Sequence, residues 1–204
     1  MSAVTRRSSF ASGHVGRSPR SRHAWCGLAL ITLGCYRGSA RDATPAAIAS
    51  DPAWIVVNVP EVRQQGSSDC GAAALASVLG YWGRPTSLAT IERAVETNGG
   101  GATAAELERF ARAQGLFAYV FYGDFSDLEH ELRAGRPVIV GVVKPYSPGH
   151  GLSHYEVVTG YEPQTRHVMT FDPARGLREN DLRGFLSEWQ STRGVALVAF
   201  EGGP

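Results

Sequence analysis

Cysteine is scarce in this sequence: three in 204 residues, at Cys26, Cys35 and Cys70. So few thiols cannot build a disulfide scaffold, and with scattered histidines they form no zinc-ligand pattern. There is no glycine-rich phosphate loop and no internal repeat. Lysine occurs once against 19 arginines, a skew of genome composition rather than of chemistry. No basic stripe interleaved with aromatics is present, which argues against a nucleic-acid partner. No apolar run approaches the ~20 residues that a membrane-spanning helix needs. Signs of disorder are missing too, since 43% hydrophobic and 19% charged residues are ordinary for a globular domain. A chain of 204 residues is long enough for one domain with a real core.

What is present begins with an asymmetry of charge. Residues 1–35 hold five arginines (Arg6, Arg7, Arg17, Arg20, Arg22) and no acid. The rest holds 15 basic and 19 acidic residues, a net of −4. After the basic leader comes AWCGLALITLGCYRG, residues 24–38, whose apolar run has signal-peptide length. It closes on Thr32-Leu33-Gly34-Cys35, which resembles a bacterial lipoprotein signal with Cys35 as the lipidated residue. The expectation is therefore an export signal over 1–35 and a periplasmic or membrane-anchored product. Cys26 and Cys35 then belong to the signal, and Cys70 has no intramolecular partner left. A lone thiol in an oxidising compartment is a liability unless it is buried or used.

Residues 36–53 read as a small-residue tether, and the domain is expected over 54–201. WIVVNVP (54–60) reads as its first strand. A helix is predicted over 70–82, with Leu75, Val78, Leu79 and Trp82 on its inner face. Further helices are predicted over 87–97, from the Thr103/Glu106 capping box to 114, and from a Ser126/Glu129 capping box to 134. Strands are predicted over 116–122, 137–143, 154–161, 167–171 and 195–200, with a loop over 144–153 and a short helix over 181–190. Helices come first and antiparallel strands after, so the fold class is α+β, a helical layer on a mainly antiparallel sheet.

The chemistry gathers around Cys70. A cysteine attacks as its thiolate. Cys70 stands at the predicted start of a helix, where free N–H groups and the helix dipole favour an anion. His154 is the best candidate base, ahead of His150 and His167. Asp172 ends the strand paired with the one that His154 is expected to begin, so its carboxylate can orient the imidazole. A side-chain amide before the nucleophile, Gln64 or Gln65, can join the Cys70 N–H in holding an oxyanion. Asp69 is expected to cap the helix. Tyr81, Trp82 and Tyr155 are read as core.

The stretches VPEVRQQGSSDCGAAALASVLGYWG (59–83), GHGLSHYEVVTGY (149–161) and FDPARG (171–176) resemble the bacteriocin-processing cysteine peptidases. Those are papain-like domains that cut leader peptides after a double glycine and are often fused to an ABC exporter. The resemblance runs over about residues 55–200. It implies Cys70 as nucleophile, His154 as base, Asp172 as orienting acid and Gln64 as the oxyanion amide, with no metal or cofactor. It also implies a peptide or protein substrate with small residues at the cleavage site, and a possible separate exporter. Two other functions fit the same residues. One is an acyl-transfer enzyme or cell-wall amidase with the same triad; the other is a catalytically silent peptide-binding domain.

Overall fold

A computed structural model describes residues 36–45, 51–95, 100–147 and 150–202. The expected signal with Cys35 lies outside these residues. So do 46–50 of the expected tether and the last turn of the helix expected to reach 97.

Helix α1, Cys70–Tyr81, is buried from Cys70 through Leu79 rather than along one face. The reason is in its composition: CGAAALASVL carries no charge, and a helix apolar all round is covered all round. The one hydroxyl within that stretch, on Ser77, is satisfied. The hydroxyl donates to the Ala73 carbonyl and accepts from the Val62 N–H, each at 3.1 Å. Leu75, Val78 and Leu79 are fully buried, as expected, and Trp82 is half-buried at the C-cap.

Helices α2 (Leu88–Val95) and α3 (Ala104–Ala113) are amphipathic and bury Leu88, Ile91, Val95, Leu107 and Ala111. The Thr103/Glu106 capping box opens α3 as predicted. Helix α4, Phe125–Arg133, starts earlier than the Ser126/Glu129 expectation: its capping box is Asp124/Asp127. Asp124 keeps extended backbone angles and accepts from the N–H and hydroxyl of Ser126, which places Ser126 inside the first turn.

The strands are β1 (Arg41–Asp42), β2 (Ile55–Val56), β3 (Phe117–Tyr122), β4 (Val138–Ser147), β5 (His150–Glu162), β6 (His167–Asp172), β7 (Gly176–Asp181) and β8 (Val195–Phe200). Helix α5, Leu182–Gln190, precedes β8. The sheet runs β1-β7-β6-β5-β4-β8-β3, with β2 beside β5, and every pairing is antiparallel. This is the α+β class that the order of elements predicted. Helices cover both faces rather than one. Helices α1 to α3 pack against Ile139, Val157, Phe171 and Leu197, while α4 and α5 pack against Val138, Val140, Val158 and Val198.

Three segments differ from the sequence reading. The expected loop 144–153 is largely a hairpin, with Lys144 opposite Leu152 and Pro145 opposite Gly151. Proline and glycine hide strand propensity, and cross-strand pairing overrides it. His154 thus lies four residues inside β5 instead of opening it. Strand β7 was not anticipated, and within WIVVNVP the strand is only Ile55–Val56, followed by a Val57 N–H bond to the Thr159 carbonyl at 2.8 Å. The first part of the expected tether is docked: Arg41–Asp42 pairs with β7, the Arg37 N–H reaches the Pro145 carbonyl at 2.8 Å, and Ala40 is buried. Among the described residues no helix is long and apolar enough to cross a membrane.

Candidate active site

Three side chains from three elements meet inside the sheet's span, where β6 ends beside β5. Strand β6 pairs with β5 only over residues 157–162, so β5 has no β6 neighbour alongside residues 150–156. Asp172, at the end of β6, and His154 are nearly buried, at 5% and 8% exposure. Asp172 Oδ1 lies 2.8 Å from His154 Nε2. The N-terminus of α1 brings Cys70 to the same ring as its other hydrogen-bond partner. With Nε2 given to Asp172, Nδ1 is the atom left for sulfur.

Burial opposes a charge on His154. The hydrogen bond to Asp172, the hydrogen bond to Cys70 and the negative charges of both outweigh it, and its pKa is pushed up to about 10. Burial likewise opposes ionisation of Asp172, but the His154 hydrogen bond and charge win and hold its pKa below the usual carboxylate value. Asp172 Oδ1 also accepts from the Ala174 N–H at 2.8 Å, which fixes the carboxylate in its turn.

Gln64 stands beside this cluster and is anchored to it. Its backbone N–H bonds the carbonyl of Pro173, the residue after Asp172, at 3.1 Å. Its Nε2 donates to the Gly66 carbonyl at 2.7 Å, so one of its two amide hydrogens is engaged within its own loop. Asp69 does not cap α1. Its side chain accepts instead from the N–H groups of Gln65 and Gly66, at 2.7 and 2.9 Å, and pins the loop that carries Gln64. Of the other histidines considered, His167 pairs with Glu179 at 2.9 Å, and His150 lies in the first position of β5.

Cys70 opens into a cleft of about 530 Å³. Gly100, Gly101 and Gly141 form part of its walls, so backbone rather than side chain faces the space. Gly101 has φ +92°, and a Cβ there would meet the Ser68 carbonyl at 2.9 Å. Gly100 and Gly101, which follow α2 in the chain, thus shape the cleft. Tyr155, read as core, lines it as well. Burial, with the charge of Cys70 next, pushes its hydroxyl pKa up to about 12.

The sequence reading missed a second cluster behind the triad. Lys144 Nζ lies 2.5 Å from Glu156 Oε1 and 2.7 Å from Glu188 Oε2, with all three residues buried. The ligand atoms of His154, Glu156 and Asp172 are all within 4.8 Å of one another. That trio is not an open cation cage, because the Lys144 ammonium already occupies the Glu156 side. The two-residue period of β5 was the available signal: it puts Glu156 on the same face as His154.

A helical layer on an antiparallel sheet, with cysteine at a helix start and histidine and aspartate on neighbouring strands, defines a papain-like cysteine peptidase fold. Comparison with known proteins agrees. The peptidase C39 family model matches residues 58–201. This chain belongs to the peptidase C39 family, a family of cysteine-type peptidases. It is 31% identical over 135 residues to the transport/processing ATP-binding protein ComA of Streptococcus pneumoniae, covering 64% of this chain and 17% of that protein. A lactococcin transport/processing ATP-binding protein LcnC-like of Lactococcus lactis is 29% identical over 126 residues, covering 62% of this chain and 17% of its own length. The chain thus spans about a sixth of the length of these relatives. Among solved structures, the peptidase domain of Streptococcus ComA superposes with a TM-score of 0.60 at 28% identity, covering 72% of this chain and 99% of that one. A double-glycine motif protease from an AMS/PCAT transporter, in complex with a leader peptide, shares the fold with a TM-score of 0.59 at 22% identity, covering 72% and 94%.

Proposed function

We propose that this chain is an exported cysteine peptidase that cuts peptide bonds through Cys70, His154 and Asp172. The observation that carries the reading is the His154 ring held at 2.8 Å by buried Asp172, with Cys70 as its other partner. His154 takes the Cys70 proton, and the thiolate attacks the scissile carbonyl. The Cys70 N–H, which has no intrahelical partner at the first position of α1, donates to the oxyanion. Gln64 is the second donor, through the amide hydrogen not given to Gly66. His154 then protonates the leaving amine, and water releases the acyl-enzyme. Asp172 holds the ring by Nε2 so that Nδ1 faces sulfur. The glycine walls let a peptide backbone approach closely, which supports small residues next to the cut bond. Nothing in this scheme calls on a metal or cofactor.

The test is alkylation of Cys70 across pH in the full chain, read on the Cys70 peptide by mass spectrometry. A free thiol ionises near about 8.5 and is almost all protonated at pH 6. At pH 6 the wild type is expected to react at least about tenfold faster than His154→Ala. Equal rates in the two proteins overturn the catalytic reading in favour of a silent peptide-binding domain. Cleavage of Gly-Gly peptides, compared with peptidoglycan fragments, separates the peptidase from a cell-wall amidase with the same triad.

Export and a lipid anchor at Cys35 rest on the basic leader, the short apolar run and the Leu33-Gly34-Cys35 ending. Fatty-acid labelling in a bacterial host is expected in the wild type and absent in Cys35→Ser; labelling of both, or of neither, removes the anchor. A separate exporter as partner remains part of the proposal, supported by the ABC-type relatives.

A further inference from the structure

The chain has a single lysine among its 20 basic residues, and that lysine is one of its most buried charges, at 4% exposure. Lys144 projects from β4 on the same face as Val142, whose cross-strand partner is His154, and Val140, whose partner is Glu156. Its ammonium sits between Glu156 and Glu188, at 2.5 and 2.7 Å. A compact ammonium fits between two carboxylates where a planar guanidinium fork would need more room. The Tyr36 hydroxyl closes the cluster by donating to Glu188 Oε1 at 2.5 Å. Glu156 Oε2 is buried with no hydrogen-bond donor.

Glu156 is the difficulty that Lys144 resolves. Its carboxylate is fully buried and lies within 4.8 Å of Asp172 and of the His154 ring. Two buried carboxylates that close cannot both keep their charge unless a cation compensates one of them. If Asp172 took the proton, the imidazolium would lose its counter-ion. We propose that Lys144 is a positioning residue that keeps the Asp172–His154 pair charged by neutralising the second carboxylate buried beside it. This rests on the catalytic reading above. The groups that face Lys144 and Glu156 are His154 on β5, Asp172 on β6, Glu188 on α5 and Tyr36 from the N-terminal arm. Tyr146, Arg175 and Arg178 border the same space, and Arg178 is already held by Asp42 and by the Ala40 carbonyl.

The test is the acidic limb of the Cys70 alkylation profile, again in the full chain. Lys144→Met is expected to move that limb up by about one pH unit, because Asp172 loses its charge sooner. Glu156→Gln, which removes the competing carboxylate and keeps the side chain's shape, is expected to move it down. The double variant Lys144→Met/Glu156→Gln is expected to return close to wild type. A folded Lys144→Met with an unmoved limb overturns the inference, and if that variant does not fold, an unmoved limb in Glu156→Gln does the same. A wild type that reacts no faster than His154→Ala would sink the catalytic reading itself, and with it this one. A normal wild-type profile with unmoved variants sinks only the role of Lys144.

Discussion

The two faces of the sheet are built differently. On the α1 side, Ile139, Val157, Phe171 and Leu197 meet a helix without a charged side chain, and its buried Ser77 has both its bonds made. On the α5 side, an equally apolar layer of Val138, Val140, Val158 and Val198 gives way toward the site to Lys144, Glu156, Asp172 and Glu188. One face supplies rigidity and the other supplies charge. Cys70, the proposed nucleophile, rides on the buried apolar helix, and its proposed partners ride on the charged strands. They meet where β6 ends and the edge of β5 opens. The contrast teaches that an apolar core fixes the position of Cys70, while a compensated set of buried charges sets the protonation of the groups it meets.

The sharpest way to break that contrast is to strike the charged face. Asp172→Asn is expected to lower kcat by about 10²- to 10⁴-fold, because the ring loses its orientation and the counter-ion of its charged form. His154 is raised to about 10, with Asp172 the foremost support of its charge. In the wild type kcat/KM should therefore hold on the alkaline side until pH nears 10, and in Asp172→Asn that limb should move down. The sign for stability is the same. A raised His154 contributes stability in full below the unfolded histidine value of about 6.5, and that contribution is lost as pH climbs toward 10. The lowered Asp172 contributes above about 3.9 and loses its share as pH falls. An alkaline limb that stays put in Asp172→Asn would detach Asp172 from the titration of His154.

The apolar face is struck by Leu79→Ala, in the last turn of α1 at 0% exposure. The expected cost is about 2–5 kcal/mol of unfolding free energy, from lost transfer energy and the cavity left behind. Denaturant unfolding reads the cost, and the pH profile of the surviving folded protein reads the contrast. A shift of either limb in Leu79→Ala would mean that the two faces are not separable.

Much of the fold is legible in the sequence. Apolar runs marked α1, β3, β4 and β8, and the Thr103/Glu106 box marked the start of α3. The partnership of His154 with Asp172 followed from a short turn between two strands, because antiparallel pairing sets the start of one beside the end of the other. The two side chains do meet, at 2.8 Å, although His154 lies inside β5 and not at its start. Pro145 and Gly151 disguised a hairpin as a loop, and local propensity does not register pairing made at a distance. Asp69 was misread as a cap for a similar reason: its position before α1 is local, while its choice of the Gln65 and Gly66 N–H groups depends on how the loop folds back.

The sequence by itself determined the fold class and the family, and it singled out Cys70, His154 and Asp172 as the proposed triad. Those depend on residue type and spacing, which the chain carries along its length. Only the tertiary structure decided that Tyr36 docks against Glu188, that Tyr155 faces the cleft, and that the single lysine is buried between two glutamates behind Asp172. Burial and charge compensation belong to groups distant in sequence: Tyr36 and Glu188 stand 152 positions apart, and Lys144 and Glu188 stand 44 apart. Their interaction is strong only because folding removes the water between them.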